Sequence, residues 1–277
     1  MLIDSHHHLW TYDPAQYGWI NDEMAVLKHD FLGPQLRQVA RENEVQGFVS
    51  VQARQSLGET RDLLEIASGE PLVAGVVGWA PFVQPNVVDI IDEFAGHAKL
   101  KGFRHVVQDE PDDRFLDRED FNAGIRTLRG RDMVYDLLVF PKQLPAAIDF
   151  ADRHSDLPMV LDHIAKPAIA EGALDEAWKR DFCELAQREN VTCKFSGAAT
   201  EVRDASWSIE TLRPYWDVAL EAFGTDRLMF GSDWPVCLLA TEYSRWLDAV
   251  KTLAASLSDS EQSKFFAGNA SRVYRLS

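Results

Sequence analysis

Short apolar, β-branched runs recur along the chain, separated by segments whose apolar residues repeat at helical spacing. Eight runs read as strands: Leu2–Ser5, Gly47–Val51, Leu72–Gly78, Gly102–Val107, Val134–Val139, Met159–Asp162, Val191–Phe195 and Leu228–Gly231. Most are nearly continuous in their hydrophobicity, the pattern of parallel strands covered on both faces. Between them Leu36, Val39 and Ala40, and then Val87, Ile90, Ile91 and Phe94, mark one apolar side of a helix. Further helical segments are Leu63–Ala67, Phe121–Leu128, Leu144–Ala151, Trp178–Ala186, Leu212–Phe223 and Trp246–Leu253. This alternation predicts an α/β fold, a closed (β/α)8 TIM barrel in preference to an open doubly wound sheet. No Gly-rich phosphate loop follows a strand, which weakens the nucleotide-binding form of the open sheet. Two connections are long, Trp10 to His29 and Gly197 to Ser208, and long loops after barrel strands are where such folds carry binding groups.

Composition narrows the picture without changing it. A chain of 277 residues, 46% apolar and 26% charged, has no linker or low-complexity tract, so one domain spanning residues 1–277 is expected. The net charge of −16 repels phosphate backbones and acidic lipid, which argues against nucleic acid and membrane partners and for a small, neutral ligand. The start, MLIDSHHHLW, has neither the basic region nor the apolar stretch of a secretory signal, and no run reaches a membrane span, so a cytoplasmic protein is expected. Cys183, Cys193 and Cys237, odd in number and widely spaced, read as reduced thiols.

The chemistry concentrates at strand ends. Alternation along a strand sends His6 and His8 to one side and His7 to the other. Two imidazoles so placed can ligate a metal or donate to a developing oxyanion. His163 follows the apolar run of PMVLDHIAKP, and Asp233 follows that of LMFGSDWPV, so three histidines and an aspartate from different strands meet at one barrel face. A buried carboxylate there needs partners, and the imidazoles supply them.

IDSHHHLW, LDHIAKP, MFGSDWPV and the closing FFAGNASRVYRL together resemble the amidohydrolase superfamily, and within it the lactonase branch that includes sugar-lactone and 2-pyrone-4,6-dicarboxylate hydrolases. The resemblance implies a (β/α)8 fold and hydrolysis of a sugar-derived lactone by activated water. Carried over by motif, it implies Asp233 as general base and His6, His8 and His163 as groups that polarise the carbonyl. Binuclear relatives bridge two metals with a carboxylated lysine on a middle strand, and MVYDLLVF contains none. One divalent ion such as zinc still suits His6, His8, His163 and Asp233. The lactonase resemblance nevertheless implies that no cofactor is required, a lactone being an activated ester.

Other polar residues are expected at the same face as substrate contacts: Arg104 and His105 in KGFRHVVQ, Gln52, Trp79, and Lys194 with Ser196 in VTCKFSGA. Lys194, in an apolar strand, should meet either Asp233 or the substrate, since an unpaired buried ammonium is expensive. Tyr12, Trp19, Arg203 and Trp207, in the long loops, are candidates to stack on or hydrogen-bond a polyol. The alternatives are a metal-dependent decarboxylase, a pyrone dicarboxylate lactonase, and a non-catalytic binding barrel. A dicarboxylate would call for several arginines at the mouth, and only Arg104 and Arg203 offer themselves.

Overall fold

The computed structural model describes residues 1–94, 96–169, 174–202 and 207–276. Eight strands, Ile3–His7 (β1), Gly47–Val51 (β2), Val73–Gly78 (β3), Leu100–His105 (β4), Val134–Leu137 (β5), Met159–Leu161 (β6), Val191–Phe195 (β7) and Leu228–Phe230 (β8), form one sheet in sequence order. Every neighbouring pair is parallel. The circle closes where β8 meets β1: Asp233 N–H donates to the His6 carbonyl at 2.8 Å and His8 N–H to the Trp234 carbonyl at 2.7 Å. The expected (β/α)8 barrel is therefore the fold.

Helices cover the sheet outside: Gly33–Asn43 (α1), Leu57–Gly69 (α2), Val87–Phe94 (α3), Glu119–Arg126 (α4), Leu144–Arg153 (α5) and Glu176–Leu185 (α6). A short turn, Ala198–Glu201 (α7), and Ile209–Phe223 (α8) follow β7; Tyr243–Leu253 (α9), Asp259–Ser263 (α10) and Asn269–Val273 (α11) follow β8. Each long helix turns an apolar stripe inward, as with Val87, Ile90, Ile91 and Phe94 of α3. Inside the barrel a second apolar layer of Ile3, Val49, Val51, Val77, Val134, Val160 and Met229 packs against Tyr274, just past α11, which seals one end.

Six strands start or end one or two residues from expectation, β2 and β7 alone agreeing at both ends, and for β1 and β4 the reason is physical. β1 continues through His6 and His7, because the His7–Ser50 register and the His6 carbonyl bond keep that backbone extended. β4 begins at Leu100 and ends at His105: Lys101 is tolerated in the strand because its stem lies along the sheet while its ammonium donates to the Arg275 carbonyl at 3.1 Å. Val107 already belongs to a following 3-10 turn.

Candidate active site

His6 at the end of β1, His8 just beyond it and Asp233 after β8 are brought together by the same backbone bonds that close the barrel. His8 donates from Nδ1 to the Val51 carbonyl at 2.7 Å, which leaves Nε2 as a lone pair aimed inward. His6 Nδ1 lies 3.2 Å from Asp162, after β6, and 3.1 Å from the Lys194 ammonium, while an Arg104 N–H faces Nε2 at 3.4 Å. His6 Nε2 and His8 Nε2 converge to 3.3 Å. Asp233 Oδ1 is 3.1 Å from His8 Nε2, 3.6 Å from His6 Nε2 and 3.9 Å from His163 Nε2.

Acceptors facing acceptors at these distances call for a cation among them. Four ligands at zinc's usual bond length of about 2.0–2.1 Å sit about 3.3 Å from one another on the edges of a tetrahedron. The spacings among His6, His8 and Asp233, 3.1–3.6 Å, bracket that value and make those three a candidate set of zinc ligands, with His163 further off at 3.9 Å from Asp233.

Burial keeps His6 and His163 neutral. The His6 pKa is held well below the usual range by burial, against the pull of Asp162, and His163 is lowered to about 4 by burial despite Asp233 and Asp162 nearby. For Asp233, burial pushes the carboxyl up, but His163, the His8 hydrogen bond and His6 together outweigh it and hold it below the ordinary carboxylate range. At neutral pH the centre holds an ionised carboxylate beside the neutral rings of His6 and His163.

His163 is placed by an uncommon piece of backbone. His163, Ile164, Ala165 and Lys166 all have positive φ, at 53°, 48°, 59° and 50°, so four non-glycine residues form a left-handed turn. Such a conformation costs roughly 1–2 kcal/mol per residue. It is held by packing: Ile164 and Ala165 are wholly buried, the Trp178 indole N–H donates to the Ile164 carbonyl at 2.9 Å, and Lys166 N–H closes the turn on the His163 carbonyl at 2.8 Å. The His163 ring rests against Gly197, where a Cβ would stand 2.7 Å from Nδ1, and Nδ1 meets Ser196 Oγ at 2.9 Å. Gly197, itself at φ 65°, is the residue that lets the ring in.

Beneath the histidines lies a buried charge network that sequence reasoning saw only in part. Lys194 does not meet Asp233; its ammonium bonds Asp136 at 2.6 Å and Asp162 at 2.9 Å, and it is fully buried away from the cavity. Asp162 also pairs with Arg104 at 2.9 Å, and Asp136 accepts from the Tyr274 hydroxyl at 2.8 Å. Two carboxylates and two cations balance. Asp162 is held well below the usual range because Lys194, His6 and Arg104 outweigh the effect of burial, whereas burial raises Asp136 to about 6. On the far side of β1, Asp4 accepts from His6 N–H at 3.1 Å, Ser232 N–H at 2.9 Å and the Tyr243 hydroxyl at 3.1 Å, fastening β1 to the turn that carries Asp233.

A cavity of about 620 Å³ opens above this floor, lined by His8, Arg104, His163 and Asp233 together with loop residues that include Trp19, Arg54 and Lys166. Trp19 is 37% exposed at the rim. Several expected contacts lie elsewhere. His105 points outside the barrel, its ring stacked on Phe115 and its Nε2 bonded to Glu110 at 2.7 Å, and the Trp79 indole donates to His105 Nδ1. Gln52 is buried below the cavity, donating to the Arg104 carbonyl, with the Arg104 guanidinium returning a bond to the Gln52 carbonyl. Trp207 stacks under Arg245 beside a separate surface groove. Tyr12 packs on the core, and Arg203 lies outside the described residues. Arg54 and Lys166 were missed because loop conformation carries no periodic signal.

A family profile described as Amidohydrolase matches residues 3–276. An L-fucono-1,5-lactonase of Burkholderia multivorans is 42% identical, the match covering 100% of this chain and 96% of that protein. Another L-fucono-1,5-lactonase, from Burkholderia ambifaria, is 36% identical over 99% of this chain and 95% of its own. A crystal structure of a Burkholderia multivorans amidohydrolase with bound zinc superposes with a TM-score of 0.96 at 41% identity, covering 100% of both chains.

Proposed function

Because this chain belongs to the amidohydrolase family, we propose that it hydrolyses a sugar-derived lactone, of the L-fucono-1,5-lactone kind, to the open sugar acid. The observation that carries this reading is an ionised Asp233 beside three buried imidazoles at the floor of a cavity large enough for a monosaccharide lactone. The full-length similarity to two L-fucono-1,5-lactonases gives the substrate class.

Asp233 takes a proton from water as the water oxygen attacks the lactone carbonyl, and returns it to the ring oxygen as the carbon–oxygen bond breaks. Arg104, at the cavity wall, adds a positive field that favours the developing oxyanion, while the inward Nε2 lone pair of His8 suits a cation and not the oxyanion itself. His6, His8, His163 and Asp233 would hold a divalent ion, which when bound supplies Lewis acidity and an acidified water. Trp19 at the rim offers an aromatic face for a sugar ring. The enzyme works as a single catalytic unit in the cytoplasm, in carbohydrate breakdown, on a neutral small molecule; the charge of −16 supports the absence of nucleic acid partners. No described helix is long and apolar enough to cross a membrane.

A pH-indicator screen of aldonolactones and pyrone carboxylates, run with and without chelator, tests the reading. L-Fucono-1,5-lactone is expected to be opened faster than any pyrone dicarboxylate; the reverse order would displace the sugar lactone. Zinc is expected to raise the thermal midpoint of chelator-treated protein by mass action, and His8→Ala to abolish that shift. Part of the turnover should survive chelation, because the ester is already activated; complete loss, restored by zinc, would make the ion essential.

A further expected outcome concerns the cradle of His163. Gly197→Ala should lower kcat/KM on the lactone by ~10²-fold, the scale of a 1 Å misplacement near the reacting centre. An unchanged rate would mean that the ring moves aside without consequence.

A further inference from the structure

We propose that Lys166 is the cation of this cavity that receives the negative charge created when a neutral lactone is opened, an inference that rests on the lactonase reading above. Lys166 belongs to the DHIAKP motif but pairs with none of the groups assigned to water activation. It stands three residues after His163, at the other end of the left-handed turn. A β-turn reverses a chain with at most two residues of positive φ. A full left-handed turn does more: it returns residues three apart to the same wall. His163 and Lys166 both line the cavity, while Ile164 and Ala165 between them are wholly buried. The strained backbone therefore presents two side chains to the substrate space, of which the mechanism uses only one.

The other cations at the cavity are committed. Arg104 pairs with Asp162 at 2.9 Å and donates to the Gln52 carbonyl. Arg54 bonds the Gln16 side chain and reaches Asp62 at 3.5 Å and Glu59 at 3.9 Å. Lys166 differs. It has an ion-pair partner, Glu201, at 3.9 Å, which lines the same cavity but is too far for a hydrogen bond, and its ammonium lies 5.7 Å from the centre of the Phe140 ring. Among the described residues no side-chain hydrogen bond fixes that ammonium, and its charge is felt at His163, where it adds to the lowering of the imidazole pKa.

The reaction supplies what such a group binds. Water adds to the carbonyl carbon and the carbonyl oxygen becomes an oxyanion. The ring carbon–oxygen bond then breaks, Asp233 passes the water proton to the leaving oxygen, and the acid formed loses its remaining proton to solvent as the carboxylate. Charge is absent from the substrate, present at the oxyanion and retained in the product. An ammonium beside the acyl group therefore favours the transition state over the neutral ground state.

Lys166→Met, Lys166→Gln and Lys166→Arg are compared with the wild type for lactone turnover and for binding of L-fuconate and the uncharged L-fucitol, read by calorimetry. Loss of charge should lower kcat/KM roughly tenfold or more. It should weaken L-fuconate binding by a similar factor and leave L-fucitol binding within twofold, with Lys166→Arg recovering most of both losses. Two results overturn the proposal: rates and L-fuconate affinity within twofold of wild type in Met and Gln variants that melt normally, or equal weakening of L-fuconate and L-fucitol, which marks a structural role. A wild-type protein that opens no sugar lactone defeats the lactonase reading instead, and is seen before any variant is compared.

Discussion

Asp233→Asn is expected to lower kcat on the lactone by ~10²–10⁴-fold, the usual contribution of a positioned general base. The amide can turn its NH2 to the His8 Nε2 lone pair and fills the same volume, so the barrel closure at the His6 carbonyl and the thermal midpoint should persist. The pH profile adds a second reading. Asp233 is held below the ordinary carboxylate range, so it stays ionised throughout the neutral and mildly acidic region. His163, lowered to about 4, is neutral there too. The wild-type kcat/KM should then be level from pH 8 down to about 5 and fall as His163 gains its proton near 4. A base held so low is intrinsically weak, and it suffices only because a lactone carbonyl is far more electrophilic than an amide. Activity within tenfold of wild type in Asp233→Asn, after subtraction of hydroxide hydrolysis, would remove Asp233 from the role of base.

The barrel was legible because parallel strands buried on both faces are apolar throughout, and helices beside them carry a 3.6-residue stripe. Its interior was not. Arg104, Asp136, Asp162 and Lys194 each interrupt an apolar run on or just after one of four successive strands, two of each sign, and the Arg104–Asp136 register sets them at comparable height. The signal was present as a balance of charges, yet only the cations drew attention, so Lys194 was assigned to Asp233 or substrate instead of to Asp136 and Asp162. Strand alternation already contained one correction: Arg104 and His105 are neighbours, so if the first faces inward the second faces the helices, where it stacks on Phe115. The four catalytic candidates were readable because each follows an apolar run directly. Arg54 and Lys166 were not, since the left-handed turn that aims Lys166 is sustained by the distant Trp178 and not by local propensity.

That charge balance makes Lys194→Met the substitution with the largest expected effect on stability. Removing the ammonium leaves Asp136 and Asp162 in the barrel interior with Arg104 as the remaining cation, and stripping one partner from a buried ion pair typically costs about 3–5 kcal/mol. The loss should depend on pH in a definite direction. A carboxyl whose folded pKa is raised above its unfolded value leaves the fold at full stability below the unfolded pKa, and stability declines as pH rises through the folded one. Asp136 already stands at about 6 with Lys194 present, so without it the gap between variant and wild type should widen from pH 5 to pH 8. Adding Asp136→Asn restores the balance of one carboxylate with one guanidinium, and the double variant should recover a substantial part of the lost denaturation free energy, most visibly at the higher pH. Additive losses would mean that the two groups do not compensate each other. A recovered fold with depressed turnover would separate the two tasks of the network: holding the interior together, and fixing the His6 ring through Asp162 and Lys194 so that its Nε2 faces the reacting centre.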